Sequence, residues 1–360
     1  MKGKGFICLI LVFTVFFYNC HREEQDKETF TKFPETRKLV SVKTGAEAFY
    51  SYVGGIKTYD SLLVLSTRRA EKKIQVYNKN TFEHIASAGV TGKGPGEIHQ
   101  PWGASWDENN DIIWYNDLTG KKIWEFKVDS ILNHTRYKPI HFFKIPSRPS
   151  FIKGSAPFKN DLFTYPTDHR ENFLMVFNEQ GKIVDSIPNK TNIYPDYDPM
   201  EIISRTWYHY HIASQKEKII FAYNHADFIV CTDFEGNILF KRQGPDLIRE
   251  ETPKKMSFEK EAKIDFKSTF NTIRSDNRYI YCLYNGRNNS YMEEEEIKHT
   301  APKNLFIYSW EGSPVMRIKL DHPTSTFALD RENNRIITYP NDIGDLVYYK
   351  FDFDKLDEMN

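Results

Sequence analysis

A single unit recurs six times along this 360-residue chain, and few architectures can accommodate it. Its first half, a polar turn leading into an apolar strand, reads YDSLLVL at 59–65, NDIIWY at 110–115, NDLFTY at 160–165, EKIIFAY at 217–223, NRYIYC at 277–282 and NRIITY at 334–339. Its second half reads KIQVY at 73–77, KIWEF at 122–126, FLMVF at 173–177, DFIVC at 227–231, NLFIY at 304–308 and DLVYY at 345–349. Turns such as NEQG at 178–181 and DFEG at 233–236 often follow it. Measured between Asp60, Asp111, Asp161, Lys218, Arg278 and Arg335, the steps are 51, 50, 57, 60 and 57 residues. The strands are β-branched and aromatic, bounded by Asn, Asp and Gly, with almost no sustained helical periodicity. A period near 50 with several strands per unit predicts an all-β, six-bladed β-propeller, whose sheets stack radially and bury their aromatic faces against one another.

A ring of sheets leaves an unpaired edge unless the termini share a blade. The last copy ends at Phe353 with no residues left for an outer strand, whereas 37–43 (RKLVSVK) alternates as a strand does. Pairing of Leu39 to Val42 with the final blade is therefore expected, closing the propeller. The predicted organisation is a leader at 1–19, a charged, solvated tether at 20–35, and one propeller domain over 36–360.

The leader is read from Lys2 and Lys4 ahead of an apolar run at 6–18, too short to span a bilayer as a helix. With Cys20 at its end and a charged segment beyond, it resembles the bacterial lipoprotein signal, which implies lipidation at Cys20 and a membrane contact made only through that anchor. Two cysteines remain in the body, Cys231 and Cys282, in apolar strands where buried thiols are expected, with a single bridge between the two as the alternative; a disulfide framework is excluded. Forty-nine basic residues balance forty-nine acidic ones, so nucleic acid is not an expected partner.

Several stretches together resemble the TolB-like six-bladed propeller lipoproteins of Bacteroidetes: GKGPGE at 92–97, YIYCLYNG at 279–286, IYSWEGSP at 307–314, then Leu320-Asp321 and FALD at 327–330. The resemblance implies the propeller fold and an outer-membrane envelope location, periplasmic or surface-exposed. It brings no catalytic residues. The segment CHREE at 20–24 is similar to the acidic signal that sends lipoproteins of such bacteria to the cell surface.

Catalytic signatures are sparse. Gly89, Gly92, Gly94 and Gly96 lack the Lys-Ser or Lys-Thr and the following helix of a phosphate loop, and a tight connection between blades is expected there. No nucleophile elbow and no HExxH motif occurs, and the acid-rich turn at 107–111 lacks the glycine and distal glutamate of an EF-hand. Two charged insertions, at 245–266 and 288–297, read mainly as solvated loops.

The cluster WYHYH at 207–211 is the most chemically varied segment, since on a strand Trp207, His209 and His211 share one face and Tyr208 and Tyr210 the other. Trp102 and His209, near the starts of inner strands, are the expected ligand contacts at the channel mouth, with Trp207 beside them. No catalytic residue, metal ligand or cofactor is assigned. The expected role is a monomeric, membrane-anchored binding or scaffold module for a protein, peptide or glycan. The alternatives are a hydrolase or lyase with a polar, Ca²⁺-assisted site at the channel mouth, and a subunit of an envelope assembly.

Overall fold

Apolar residues occupy successive positions of the strands, so both faces of each sheet need a partner, and radial stacking supplies one on each side. In the computed structural model, described over 32–358 apart from 47, 49, 51, 108–110, 147–153, 160–161, 167–170, 192–207, 225–226, 246–266, 289, 294–295 and 341, six antiparallel blades follow one another.

Blade 1 comprises β3 (Val53–Tyr59), β4 (Leu62–Thr67), β5 (Lys72–Asn78) and β6 (His84–Val90). Blade 2 comprises β7 (Pro101–Asp107), β8 (Ile112–Asp117), β9 (Lys122–Lys127) and, after helix α1 (Val128–Asn133), β10 (Phe142–Lys144). Blade 3 is β11 (Ala156–Pro157), β12 (Phe163–Pro166), β13 (Asn172–Phe177) and β14 (Ile183–Pro188). Blade 4 is β15 (Tyr208–Ala213), β16 (Lys218–Tyr223), β17 (Phe228–Asp233) and β18 (Ile238–Gln243). Blade 5 has β19 (Lys267–Ser275), β20 (Tyr279–Asn288), β23 (Asn304–Ser309) and β24 (Pro314–Leu320), with a hairpin of β21 (Ser290–Glu293) and β22 (Glu296–His299) between β20 and β23. Blade 6 holds β25 (Thr324–Asp330), β26 (Arg335–Pro340) and β27 (Val347–Lys350), followed by helix α2 (Phe353–Asp357).

The six buried clusters sit between blades rather than within them. Along β16, Ile219, Phe221 and Tyr223 pack on blade 3, and Ile220 and Ala222 on blade 5. Along β20, Tyr279, Tyr281 and Leu283 pack on blade 6, and Ile280, Cys282 and Tyr284 on blade 4. The period-2 alternation of a strand thus divides each sheet between two neighbours. Threonines join the innermost strands: Thr58 Oγ1 donates to Leu329 O at 2.8 Å and Thr272 Oγ1 to Ser325 O at 2.7 Å.

The N-terminal segment closes the ring in two steps. β2 (Val42–Lys43) pairs antiparallel with β27 as the outer strand of blade 6, Val42 opposite Tyr348. β1 (Glu35–Leu39) runs parallel to β24 as a fifth strand of blade 5, Leu39 opposite Leu320. Leu39, expected on the final blade, therefore lies on its neighbour, because Ser41 is held at the step between the two sheets. Phe33, expected in the solvated segment, is buried, its ring 4.5 Å from that of Phe306. The charged residues of β1 leave an outer edge unsuited to pairing with another chain.

Two further expectations concern the body. Cys231 and Cys282 are buried free thiols, and burial pushes the Cys231 thiol up to about 12. The glycine-rich connection from blade 1 to blade 2 folds around Glu97, whose carboxylate accepts Gly94 N at 2.9 Å and Lys138 Nζ at 2.7 Å. A Cβ on Gly92 would sit 1.9 Å from Glu97 Oε2, and Gly96 has φ +70, so glycine is required for this path.

Candidate functional site

The first strand of every blade borders a central channel of about 940 Å³, to which β3 contributes Lys57, β7 Trp102, β11 Ala156, β15 His209, β19 Thr272 and β25 Ser325. Side chains differ sharply between its two ends. At the end where these strands begin, β-bulges between Val53 and Gly55 and between Pro101 and Gly103 turn the backbone out of register. A Cβ at Gly54 would lie 3.3 Å from the Tyr52 ring and 3.9 Å from Arg68 Nε, so a glycine there leaves space for both side chains.

Arg68 follows β4, and antiparallel pairing brings the end of β4 beside the start of β3. Its guanidinium carbon lies over the Tyr52 ring at 5.0 Å and over the Trp102 ring at 4.7 Å. Such contacts hold the guanidinium plane and leave its N–H edge available. Nε is buried without a hydrogen-bond partner, and no ion pair from Arg68 occurs among the described residues. Behind it, the buried Lys73 ammonium donates to Arg68 O at 2.9 Å and also to Ala70 O, shaping the turn; desolvation lowers the Lys73 pKa. Tyr115 OH donates to Thr67 O at 2.7 Å and ties this turn to blade 2.

Besides Arg68 Nε, the lining holds buried polar atoms without a partner at Ser105 Oγ and at two residues that are themselves buried, Asn116 and Ser155. Asn116, 2% exposed, donates Nδ2 to Gly103 O at 3.3 Å and leaves Oδ1 unpaired. Ser155, 3% exposed, leaves Oγ unpaired on the next blade. Buried polar atoms are ordinarily satisfied, so these have capacity for a ligand or for water.

The other end carries the lining's carboxylates, Asp107 and Glu217, with Lys159. Asp107 lies five residues beyond Trp102 on β7, roughly 16 Å along the strand. His211 Nε2 and Ser275 Oγ, on β15 and β19, are 2.8 Å apart toward this end.

Of the residues singled out from sequence, Trp102 and His209 both line the channel, Trp102 at the mouth. Trp207 and Cys20 lie outside the described residues. Tyr208 and Tyr210 pack toward blade 3, with Tyr208 OH donating to Phe173 O and Tyr210 OH to Thr164 O at 3.1 Å, while His211 turns toward blade 5, as strand alternation requires. Among the described residues no group of three or more His, Cys, Asp and Glu side chains could hold a metal ion. Sequence reading missed Tyr52, Arg68, Asn116 and Ser155. The available signal was positional, since the end of a second strand lies beside the start of the first, which places Arg68 and Asn116 at the same mouth as Trp102.

Residues 29–332 match the family described as TolB-like 6-blade propeller-like. The chain belongs to this family. Among solved structures, a TolB-like chain of this kind is similar to a member of the DUF4221 family from Bacteroides vulgatus, at 9% identity and TM-score 0.58, over 90% of this chain and 98% of that one. It is also similar to streptogramin B lyase, at 11% identity and TM-score 0.50 over 86% and 97% of the chains, and to the RRP9 WD40 repeats, at 7% identity and TM-score 0.50 over 89% and 99%. At such identities the likeness is one of fold. No curated protein sequence matches the chain. No helix among the described residues of this TolB-like propeller is long and apolar enough to cross a membrane.

Proposed function

We propose that this propeller is a membrane-anchored, extracytoplasmic binding module, held by lipid on Cys20, which takes a protein, peptide or glycan ligand at the channel mouth formed by Tyr52, Arg68 and Trp102. One observation carries the reading: an arginine fixed over two aromatic rings, with a buried N–H unused, stands at the opening of a cavity large enough for a ligand. Rigid aromatics and arginine are the residue types that dominate recognition surfaces. The leader supports the address, and the chain can act as a monomer because every blade already has two neighbours. Trp102→Ala should abolish retention of solubilised envelope peptides or glycans while leaving the melting transition in place. Equal retention by wild type and variant would remove the mouth from consideration. Cys20→Ser should release the protein from the membrane fraction.

The hydrolase alternative draws on a different pair. His211 and Ser275 are at the separation of a base and its nucleophile. A fluorophosphonate probe that labels Ser275 in wild type and fails in His211→Ala would favour that reading, and an unlabelled wild type would dispose of it.

A further inference from the structure

We infer that the mouth of the channel recognises the terminal carboxylate of a peptide, with the Arg68 fork pairing the carboxylate and the Asn116 side-chain carbonyl receiving the amide N–H behind it. This rests on the reading of the mouth as a binding site and names its ligand.

The argument starts from charge. Arg68 stands in the turn after β4 with the buried Lys73 of β5 behind it, and neither has an ion pair among the described residues. The carboxylates that line the channel, Asp107 and Glu217, belong to its opposite end. Glu71, in the same turn, makes no ion pair among the described residues, and the Asp117 carboxylate beside Asn116 is taken up by the amides of His99, Gln100 and Gly120. The Arg68 charge is thus left for an anion, and a guanidinium offers paired donors spaced to match the two oxygens of a carboxylate.

Geometry narrows the anion. The faces of Tyr52 and Trp102 beneath the guanidinium are occupied by it, at 5.0 and 4.7 Å, so a sugar ring cannot stack on those faces without displacing Arg68. The edge of the fork lies off both ring faces, which suits a planar group arriving end-on. The second requirement is a donor close to that group. Asn116 is fastened to Gly103 O, one residue from Trp102, and its Oδ1 has no partner. The last peptide unit of a chain carries both features, a free carboxylate and an N–H a few bonds away. Ser155 Oγ, also unpaired on the adjoining wall, can serve the preceding carbonyl. A buried acceptor left unmatched discriminates against ligands without the donor.

The test uses the full mature protein and N-acetyl-trialanine as the free acid, as its C-terminal amide, and trigalacturonate, each at millimolar concentration in ligand-observed NMR and calorimetry. The free acid should bind, the amide should bind about tenfold or more weakly, and raised salt should weaken the acid alone. Arg68→Gln should remove the difference between acid and amide, with near-ultraviolet circular dichroism establishing that it folds. Arg68→Lys should keep a residual, salt-sensitive preference. The contrast between acid and amide needs no variant, so a variant that misfolds does not shield the proposal. Equal binding of acid and amide, binding of trigalacturonate alone, or no binding of the free acid overturns it. Retention of another envelope ligand in a Trp102-dependent manner would leave the binding module standing while the carboxylate assignment falls.

Discussion

Asp321 holds Ser41 across 280 positions of sequence: its Oδ2 accepts the Ser41 amide at 3.0 Å and the Ser41 hydroxyl at 3.0 Å. Its Oδ1 accepts Tyr349 OH at 2.9 Å. The carboxylate thus fastens the N-terminal strip where it steps from blade 5 to blade 6, and joins that step to the last strand of the chain.

That fastening has a pH signature. Burial acts to raise the Asp321 pKa, but the donors from Ser41 and Tyr349 outweigh it and hold the carboxyl below the usual aspartate range. A carboxyl depressed on folding contributes stability that is complete above its unfolded pKa and is lost as pH falls through its folded one. Asp321→Asn should therefore lower the urea midpoint at neutral pH, with the gap from wild type closing below about pH 4. Urea titrations of both proteins across that range decide it, and coincident midpoints at neutral pH would contradict the role.

Phe33 should behave as a core residue. It is 7% exposed and packs on Phe306 and Tyr308. Phe33→Ala should cost about 3 kcal/mol in chemical denaturation. A cost of less than about 0.5 kcal/mol, the level of an ordinary surface substitution, would mean the segment ahead of β1 is not packed.

Tyr339 joins blade 6 to the strip entering blade 1. Its hydroxyl donates toward Ala48 O at 3.1 Å and Tyr50 O at 2.7 Å and accepts Tyr50 N at 2.6 Å. Tyr339→Phe should cost about 1–3 kcal/mol, because buried backbone groups lose their partner. Burial raises the Tyr339 pKa, so this contribution is whole below the ordinary tyrosine pKa and fades as pH rises through the folded value. The alkaline limb of the stability profile should therefore be shallower in the variant, which melting curves at stepped pH can read.

Cys231 and Cys282 should resist labelling in the native state. Both are fully buried, and desolvation raises both thiols. Iodoacetamide mapping should leave their peptides unmodified until denaturant is added. Prompt modification of either in native protein would show that the interface between blades 4 and 5 opens readily.

The repeat was legible because both faces of every sheet must be covered, which forces apolar residues onto alternate sides of strands such as β16 and β20. Val42 was legible for the same reason, since a ring needs its last edge paired. Leu39 was not, because strand alternation carries no information about which of two adjacent edges receives it. At the site, Trp102 follows from its place at the start of β7, and alternation correctly divides Tyr208 and Tyr210 from His211. Arg68 was invisible as a site residue because its significance depends on Tyr52 and Trp102, one before β3 and one in the next blade, converging on it.

The position of the N-terminal strip also bears on how freely this chain can be rewired. Since β1 and β2 lie beside β24 and β27, the first and last described strands of the chain stand at neighbouring sheets. A short linker joining them, with new ends opened between any other two blades, should give a circular permutant that rebuilds all six interfaces. In such a ring the starting point of synthesis is a matter of order along the gene, and the finished packing does not depend on it.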